Sequence, residues 1–276
     1  MLISAKLAPV FAYDEMEAFW RAADECGFHA VWNYDHFYGI GGGLTGVEQD
    51  TLEGWTSLAA MATVITRARI GCMVTGITYR HPAVLANMAV TVDHISGGRL
   101  EFGIGAAWHE DEHRAYGIPF PSALERVEML DESVRLIKSL WTDERSTFEG
   151  KHYTVTDALC NPKPVQHPHP PVVIGGTRPK IMRVIARHAD EWNGIAFDID
   201  VWRESNARLD EACEEVGRDP STLRRGAQLF LIPEQTEQVK AQIDQLLAYE
   251  DAGCEHVVLS FYQPPSRALL EQVAPA

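Results

Sequence analysis

Short runs rich in Val, Ile, Leu and Phe return along the chain, each followed by a stretch whose apolar residues recur at three- and four-residue spacing. The pattern predicts strands over Leu2–Leu7, His29–Tyr34, Arg69–Thr75, Arg99–Gly105, Pro171–Ile174, Glu191–Ala196, Ala227–Ile232 and His256–Ser260. Helices are expected over Tyr13–Cys26, Gly54–Thr66, Ala83–Ile95, Ala123–Leu140, Lys180–His188, Val201–Val216 and Gln235–Ala252, with a short terminal helix from about Ser266. Eight strand–helix units close a parallel barrel, so the expected fold class is α/β, a single (β/α)8 TIM-type barrel over residues 1–276. An open doubly wound sheet would carry a Gly-rich phosphate fingerprint after its first strand, where this chain reads Ala8-Pro9-Val10-Phe11. A long insertion, Thr142–Pro170, precedes the fifth strand. Its span from Ser146 to Pro170 is expected as an extended, stiff excursion outside the barrel rim, because Pro162, Pro164, Pro168, Pro170 and Pro171 crowd its end.

Charge narrows the partners. With 24 Lys+Arg against 39 Asp+Glu the net charge is −15, which argues against a nucleic-acid binder. A phosphorylated cofactor stays possible, since local backbone amides can hold a phosphate despite the global field. The five cysteines are dispersed with no C-x-x-C pair, which reads as reduced core thiols rather than a disulfide framework or a cysteine zinc site. No secretory signal and no apolar run of the ~18 residues a membrane span needs are visible, so a cytoplasmic protein without membrane contact is expected.

Several motifs invite chemistry. His109-Glu110-Asp111-Glu112-His113 matches the H-E-x-x-H zinc pattern, but that pattern needs a buried helix face and a third ligand. Here three carboxylates run together and Gly117 and Pro119 follow closely, so a rim segment near a site is the preferred reading and no metal is expected. His167-Pro168-His169 reads as a solvated loop, and Gly41–Gly46 as a Gly-hinged loop rather than a dinucleotide turn. Gly175-Gly176-Thr177-Arg178 is more persuasive. It follows an apolar strand, Pro179 stands where a helix begins, and the glycines let backbone amides approach an anion. Asp35-His36 closes the second strand, at the end where such barrels carry their active sites. A histidine there can hold a proton near neutral pH. Asp93-His94 falls at the opposite face, where a stability role is expected.

Taken in order, Trp32-Asn33-Tyr34-Asp35-His36-Phe37, Tyr79-Arg80-His81-Pro82, Asp93-His94-Ile95-Ser96-Gly97-Gly98-Arg99, Gly103-Ile104-Gly105-Ala106-Ala107-Trp108 and Arg114-Ala115-Tyr116-Gly117-Ile118-Pro119-Phe120 resemble the luciferase-like monooxygenase superfamily over nearly the whole chain. Within it the chain looks most like oxidoreductases that use the deazaflavin coenzyme F420. The resemblance implies a flavin-like ring across the strand ends, with Asp35 and His36 beside it and His36 as the candidate for proton handling. It implies a bulge with a non-prolyl cis peptide at Met73-Val74, Thr75 on the same rim, and Gly105, Ala106 and Ala107 admitting the ring. Gly175, Gly176, Thr177 and Arg178 match the phosphate-binding turn. Trp108, His109 and Tyr79 are expected to line the substrate pocket. Trp108 stands where the sugar-phosphate dehydrogenases of the superfamily carry an acid, so that chemistry loses support. An arginine the luciferases carry near Ala106 is missing, which weakens an unmodified FMN site. The expected activity is F420-dependent hydride transfer to or from a small organic substrate. An FMN-dependent monooxygenase and a non-catalytic flavin-binding homologue are the alternatives. The same resemblance implies a homodimer packed through the helices after the second and third strands; the apolar surfaces of Trp55–Ala62 and Val84–Val92 allow that, or equally face the barrel.

Overall fold

The computed structural model describes residues 1–39, 49–195, 198–231 and 246–274. Its elements alternate as β1 (Leu2–Leu7), α1 (Tyr13–Glu25), β2 (Ala30–Asn33), α2 (Gly54–Val64), β3 (Arg69–Cys72), β4 (Thr75–Gly76), α3 (Pro82–Ser96), β5 (Leu100–Gly105), α4 (Glu110–Tyr116) and α5 (Ala123–Thr142). There follow β6 (Ser146–Glu149), β7 (Thr154–Ala158), β8 (Val172–Gly175), α6 (Pro179–His188), β9 (Glu191–Ile195), α7 (Ile199–Glu215), β10 (Arg224–Leu231), β11 (His256–Phe261) and a terminal helix Arg267–Val273. The main sheet runs β3-β2-β1-β11-β10-β9-β8-β5-β4, and β3 also pairs with β5, so the parallel sheet closes on itself. β3 and β4 are the two halves of the expected third strand, parted at Met73-Val74, whose peptide bond is cis. The chain therefore forms the eight-position parallel barrel expected of it.

Helices α1–α3 and α5–α7 turn apolar residues inward. On α1, Met16, Phe19, Trp20 and Ala23 are buried at helical spacing. α2 buries Trp55, Leu58 and Met61 against the barrel, so that part of the Trp55–Ala62 surface is core rather than an interface, while Val84 on α3 is exposed. Pro82 opens α3 and Gly97, with φ 67°, closes it in the left-handed region that glycine adopts at low cost. Asp93, at that end, accepts the Val165 and Gln166 amides at 2.7 and 3.2 Å. Gln166 also reaches the carbonyl of Leu100, the first residue of β5. The end of the insertion thus lies under the strand starts, whereas Tyr153 within it meets the ring of His81, which caps the start of α3 on the strand-end side. Part of it is the hairpin β6–β7, where an extended excursion was expected.

Inside the barrel the inward positions stack in three layers at period two. The lowest is polar and charged: Ser4, Glu101, Glu191 and His256, all buried. His256 lies 2.7 Å from Ser4 Oγ and 2.7 Å from Glu191 Oε1. Arg69 donates to Glu101 at 2.8 Å and Arg224 to Glu191 at 3.2 Å. The middle layer is apolar, formed by Ala30, Trp32, Met73, Val173 and Val258. The uppermost, with Lys6, Asn193, Gln228 and Ser260, opens into the cavity described below.

Burial disfavours the His256 imidazolium, but the Glu191 and Glu101 carboxylates outweigh it and hold its pKa above the ordinary histidine value. The stability from this pairing is therefore full below the unfolded-state pKa and is lost as pH rises through the raised one. Glu191→Ala, which strands His256 and Arg224, is expected to lower the unfolding free energy by about 3–5 kcal/mol. A urea titration measures this, and a loss below about 1 kcal/mol would contradict the layer's role.

Candidate active site

A cavity of about 490 Å³ opens at the carboxyl ends of the barrel strands. Its wall is mainly aromatic and aliphatic, from Tyr34, Tyr79, Trp108, Ile181, Phe230 and Tyr262, with Met73 and Val74 on one side. That side is shaped by glycines. A Cβ at Gly103 would stand 2.0 Å from the Cys72 carbonyl oxygen, and one at Gly105 would stand 2.7 Å from Val74 Cγ2. Glycine in β5 is what lets the Met73-Val74 bulge press into the barrel and present a flat apolar surface. Ala107, at φ 57°, then turns the chain over the rim, and Trp108 stands 61% exposed at the mouth.

His36 lines the cavity beside Trp108, ring edge to ring face at 5.5 Å between centroids. Its Nδ1 lies 2.9 Å from Glu112 Oε2. Glu112 is fully buried and also accepts the Phe37 and Tyr38 amides and the Tyr79 hydroxyl. Burial opposes its charge, yet the donors from His36, Tyr79 and Phe37 prevail and hold its carboxyl at about 2. An ionised carboxylate only accepts, so Nδ1 of His36 carries the proton. Nε2 has no partner among the described residues and is the nitrogen left to accept a proton from a ligand. Burial and the Glu112 carboxylate together raise Tyr79 above the ordinary phenol value, which keeps it a neutral donor.

Glu112 sits on α4, within the H-E-x-x-H match. The segment stands at the rim beside the cavity, as expected, and is helical: residues Glu110–Tyr116 form a helix with Glu112 and His113 buried. The helix does not gather zinc ligands among the described residues. His109 Nδ1 caps the Glu112 amide at 3.2 Å, and His113 bonds the His109 carbonyl at 2.7 Å and Thr78 Oγ1 at 2.6 Å. Among the described residues the three-residue group of metal-ligating type that does come together is Glu101, Glu191 and His256 at the barrel bottom, where Arg69 and Arg224 already bind the two carboxylates.

Asp35 also lines the cavity, but its carboxylate is gripped by the Arg80 guanidinium at 2.6 and 2.9 Å. Burial raises the Asp35 pKa, against the pull of Arg80. Arg80 also meets Glu53, so the trio locks the second and third strand ends together. Gly105, Ala106, Ala107, Trp108, Gly175, Gly176 and Tyr79 all line the cavity. Thr177 and the exposed Arg178 stand just outside it, on the turn into α6.

Two expected contacts fall elsewhere. Thr75 points the other way along its strand and accepts the Trp55 indole at 2.9 Å. His109 caps α4 instead of lining the pocket. The Gly41–Gly46 loop lies outside the described residues. Sequence reasoning missed Glu112, Lys6 and Asn193. Lys6 was legible as the lone charge in the strand Leu2–Leu7.

The family model for luciferase-like monooxygenases matches residues 3–269, and the chain belongs to this family. An F420-dependent hydroxymycolic acid dehydrogenase of Mycobacterium tuberculosis is 31% identical over 227 residues, 80% of this chain and 60% of that protein. An FMNH(2)-dependent dimethylsulfone monooxygenase of Pseudomonas putida is 28% identical over 174 residues, 62% of this chain and 46% of that protein. The matched stretch thus covers less than two thirds of either relative's length. An F420-dependent secondary alcohol dehydrogenase solved with an F420–acetone adduct shares the fold with TM-score 0.84 at 19% identity, over 98% of this chain and 96% of that one. The EDTA monooxygenase of Chelativorans sp. shares it with TM-score 0.83 at 14% identity, over 100% and 92%.

Proposed function

We infer that the chain is an F420-dependent oxidoreductase that moves a hydride between the deazaflavin and a small organic substrate. The observation that carries this is the His36–Glu112 pair, which offers a basic nitrogen to an aromatic-walled cavity behind a glycine-shaped apolar surface. The residues present suit a planar ring. Met73, Val74, Gly105 and Ala106 give it a flat wall. Gly175, Gly176, Thr177 and Arg178, at the start of α6, offer amides and a guanidinium to its phosphate. A bound deazaflavin supplies two-electron hydride chemistry with little oxygen reactivity.

The protein's own part is orientation and proton handling. Trp108 and Tyr79 confine the substrate at the mouth. His36 takes the substrate's proton at Nε2 when an alcohol is oxidised, and returns it in the reverse direction. The Glu112 carboxylate fixes the imidazole by its Nδ1–H and stabilises the imidazolium that forms. The kinship with the mycobacterial dehydrogenase and the fold shared with the secondary alcohol dehydrogenase support an alcohol–carbonyl couple. The FMN-dependent relative supports a second reading, oxygen insertion with reduced FMN.

An anaerobic screen of primary and secondary alcohols with oxidised F420 tests the first reading. The expected result is loss of the oxidised deazaflavin absorbance with at least one of them. Oxygen uptake that depends on reduced FMN, with no F420 turnover, would overturn it.

A further inference from the structure

The upper layer of the barrel interior holds donors that the proton-handling pair does not use. Lys6, on β1, pairs in register with Ser260 of β11 and lines the cavity. Its Nζ donates to the Met73 carbonyl at 2.8 Å. An ammonium carries three N–H donors, so two remain. The titratable neighbour that acts on Lys6 is the Cys72 thiol and not a carboxylate, and burial draws its pKa down to about 8. In a chain of net charge −15 this is a cation facing a cavity with no carboxylate paired to it among the described residues. Asn193, on β9, is 2% exposed, lines the same cavity, and its Nδ2 finds no acceptor among the described residues. A buried donor left unmatched is costly, so both groups call for an acceptor brought by the ligand.

The position says which ligand. Asn193 pairs in register with Gly175, the first residue of the proposed phosphate turn, whereas His36 and Trp108 stand on the loops after β2 and β5. The donors therefore lie on the cofactor's side of the cavity and at its floor. A flavin-type ring ends in a pyrimidinedione, an edge of carbonyl and ring-nitrogen acceptors, and accepting hydride leaves negative charge along that edge.

We propose that Lys6 and Asn193 receive the pyrimidinedione edge of the bound ring, and that the Lys6 charge favours the reduced, anionic ring over the oxidised one. This rests on the reading of the chain as a deazaflavin or flavin enzyme. A cation in a partly desolvated site discriminates between charge states more strongly than it would in water. A neutral amide such as Asn193 discriminates little and serves mainly to orient the edge.

The test is anaerobic equilibrium binding of oxidised and reduced F420, and of oxidised and reduced FMN, to the wild-type chain, Lys6→Met, Lys6→Arg and Asn193→Ala, read by tryptophan fluorescence quenching. Lys6→Met is expected to weaken the reduced ring at least tenfold more than the oxidised one, and Lys6→Arg to restore most of the difference. Asn193→Ala is expected to weaken both forms alike. Should Lys6→Met fail to fold, Lys6→Gln takes its place in the same comparison. Equal weakening of both redox forms by loss of the lysine charge, or none, overturns the proposal while the functional reading stands. A wild-type chain that binds neither ring in either state overturns both.

Discussion

Glu112→Ala is expected to cost the protein about 3 kcal/mol of stability and at least a hundredfold in turnover. The buried carboxylate receives four donors, from His36, the Phe37 and Tyr38 amides and Tyr79. Its removal leaves them unmatched in a site that water enters poorly, at about 1–3 kcal/mol for each group that stays dry. It also frees the His36 ring, whose tautomer Glu112 sets. Glu112→Gln separates the two effects. The amide keeps an accepting oxygen for the backbone donors, so the melting temperature should fall less than in the alanine variant. It cannot counter an imidazolium, so turnover should still drop by about tenfold or more. The acid side follows the same logic. Because the folded carboxyl is held at about 2, its contribution is present above the ordinary glutamate value of about 4.5 and is lost as pH falls from there towards 2. Wild-type stability should decline through that window more steeply than that of Glu112→Gln, as thermal melts across pH would show. Parallel curves would contradict the assignment.

His36→Ala is the second large effect. The side chain lines the cavity and contributes one nitrogen to it, so its loss should remove proton transfer and open space beside Trp108 while the Met73-Val74 side of the cavity stays in place. Turnover is expected to fall by about 10²–10⁴-fold, while cofactor affinity changes by no more than about threefold. For alcohol oxidation the base must be neutral, so the wild-type rate should decline on the acid side and that limb should vanish in the variant. Comparing the two pH–rate profiles distinguishes a proton acceptor from a residue that only contacts the ring. Unchanged kinetics would remove His36 from the mechanism.

The barrel was legible because its strands and helices announce themselves by period, and eight repeats of one pattern leave few alternatives. The first strand was read with its observed bounds. β10 begins at Arg224, three residues before the expected start, because Arg224 and Arg225 look like loop charges until Glu191 and Asp210 come into reach of them. α4 was hidden for a similar reason. Seven residues with three consecutive carboxylates make a poor isolated helix. It is held by the His109 cap and by Glu112 reaching residues 74 to 76 positions away.

The candidate site divides the same way. Residues placed by strand ends and glycine turns, His36, Gly105, Ala106, Gly175 and Gly176, were legible and do line the cavity. Thr75 was misplaced because the alternation restarts at the Met73-Val74 break: both of those residues line the cavity, and Thr75 then turns its hydroxyl to Trp55. The partner that defines His36 lies on another element, and no local pattern announces a contact at that separation.

The account stands most directly on cofactor binding. Titration of the purified chain with F420 and, separately, with FMN, followed by fluorescence quenching, is predicted to give a saturable F420 site with a micromolar or lower Kd and weaker FMN binding. Saturable binding of FMN alone would contradict the deazaflavin assignment and move the site to oxygen chemistry. Binding of neither would contradict the central claim that this cavity holds a flavin-type ring.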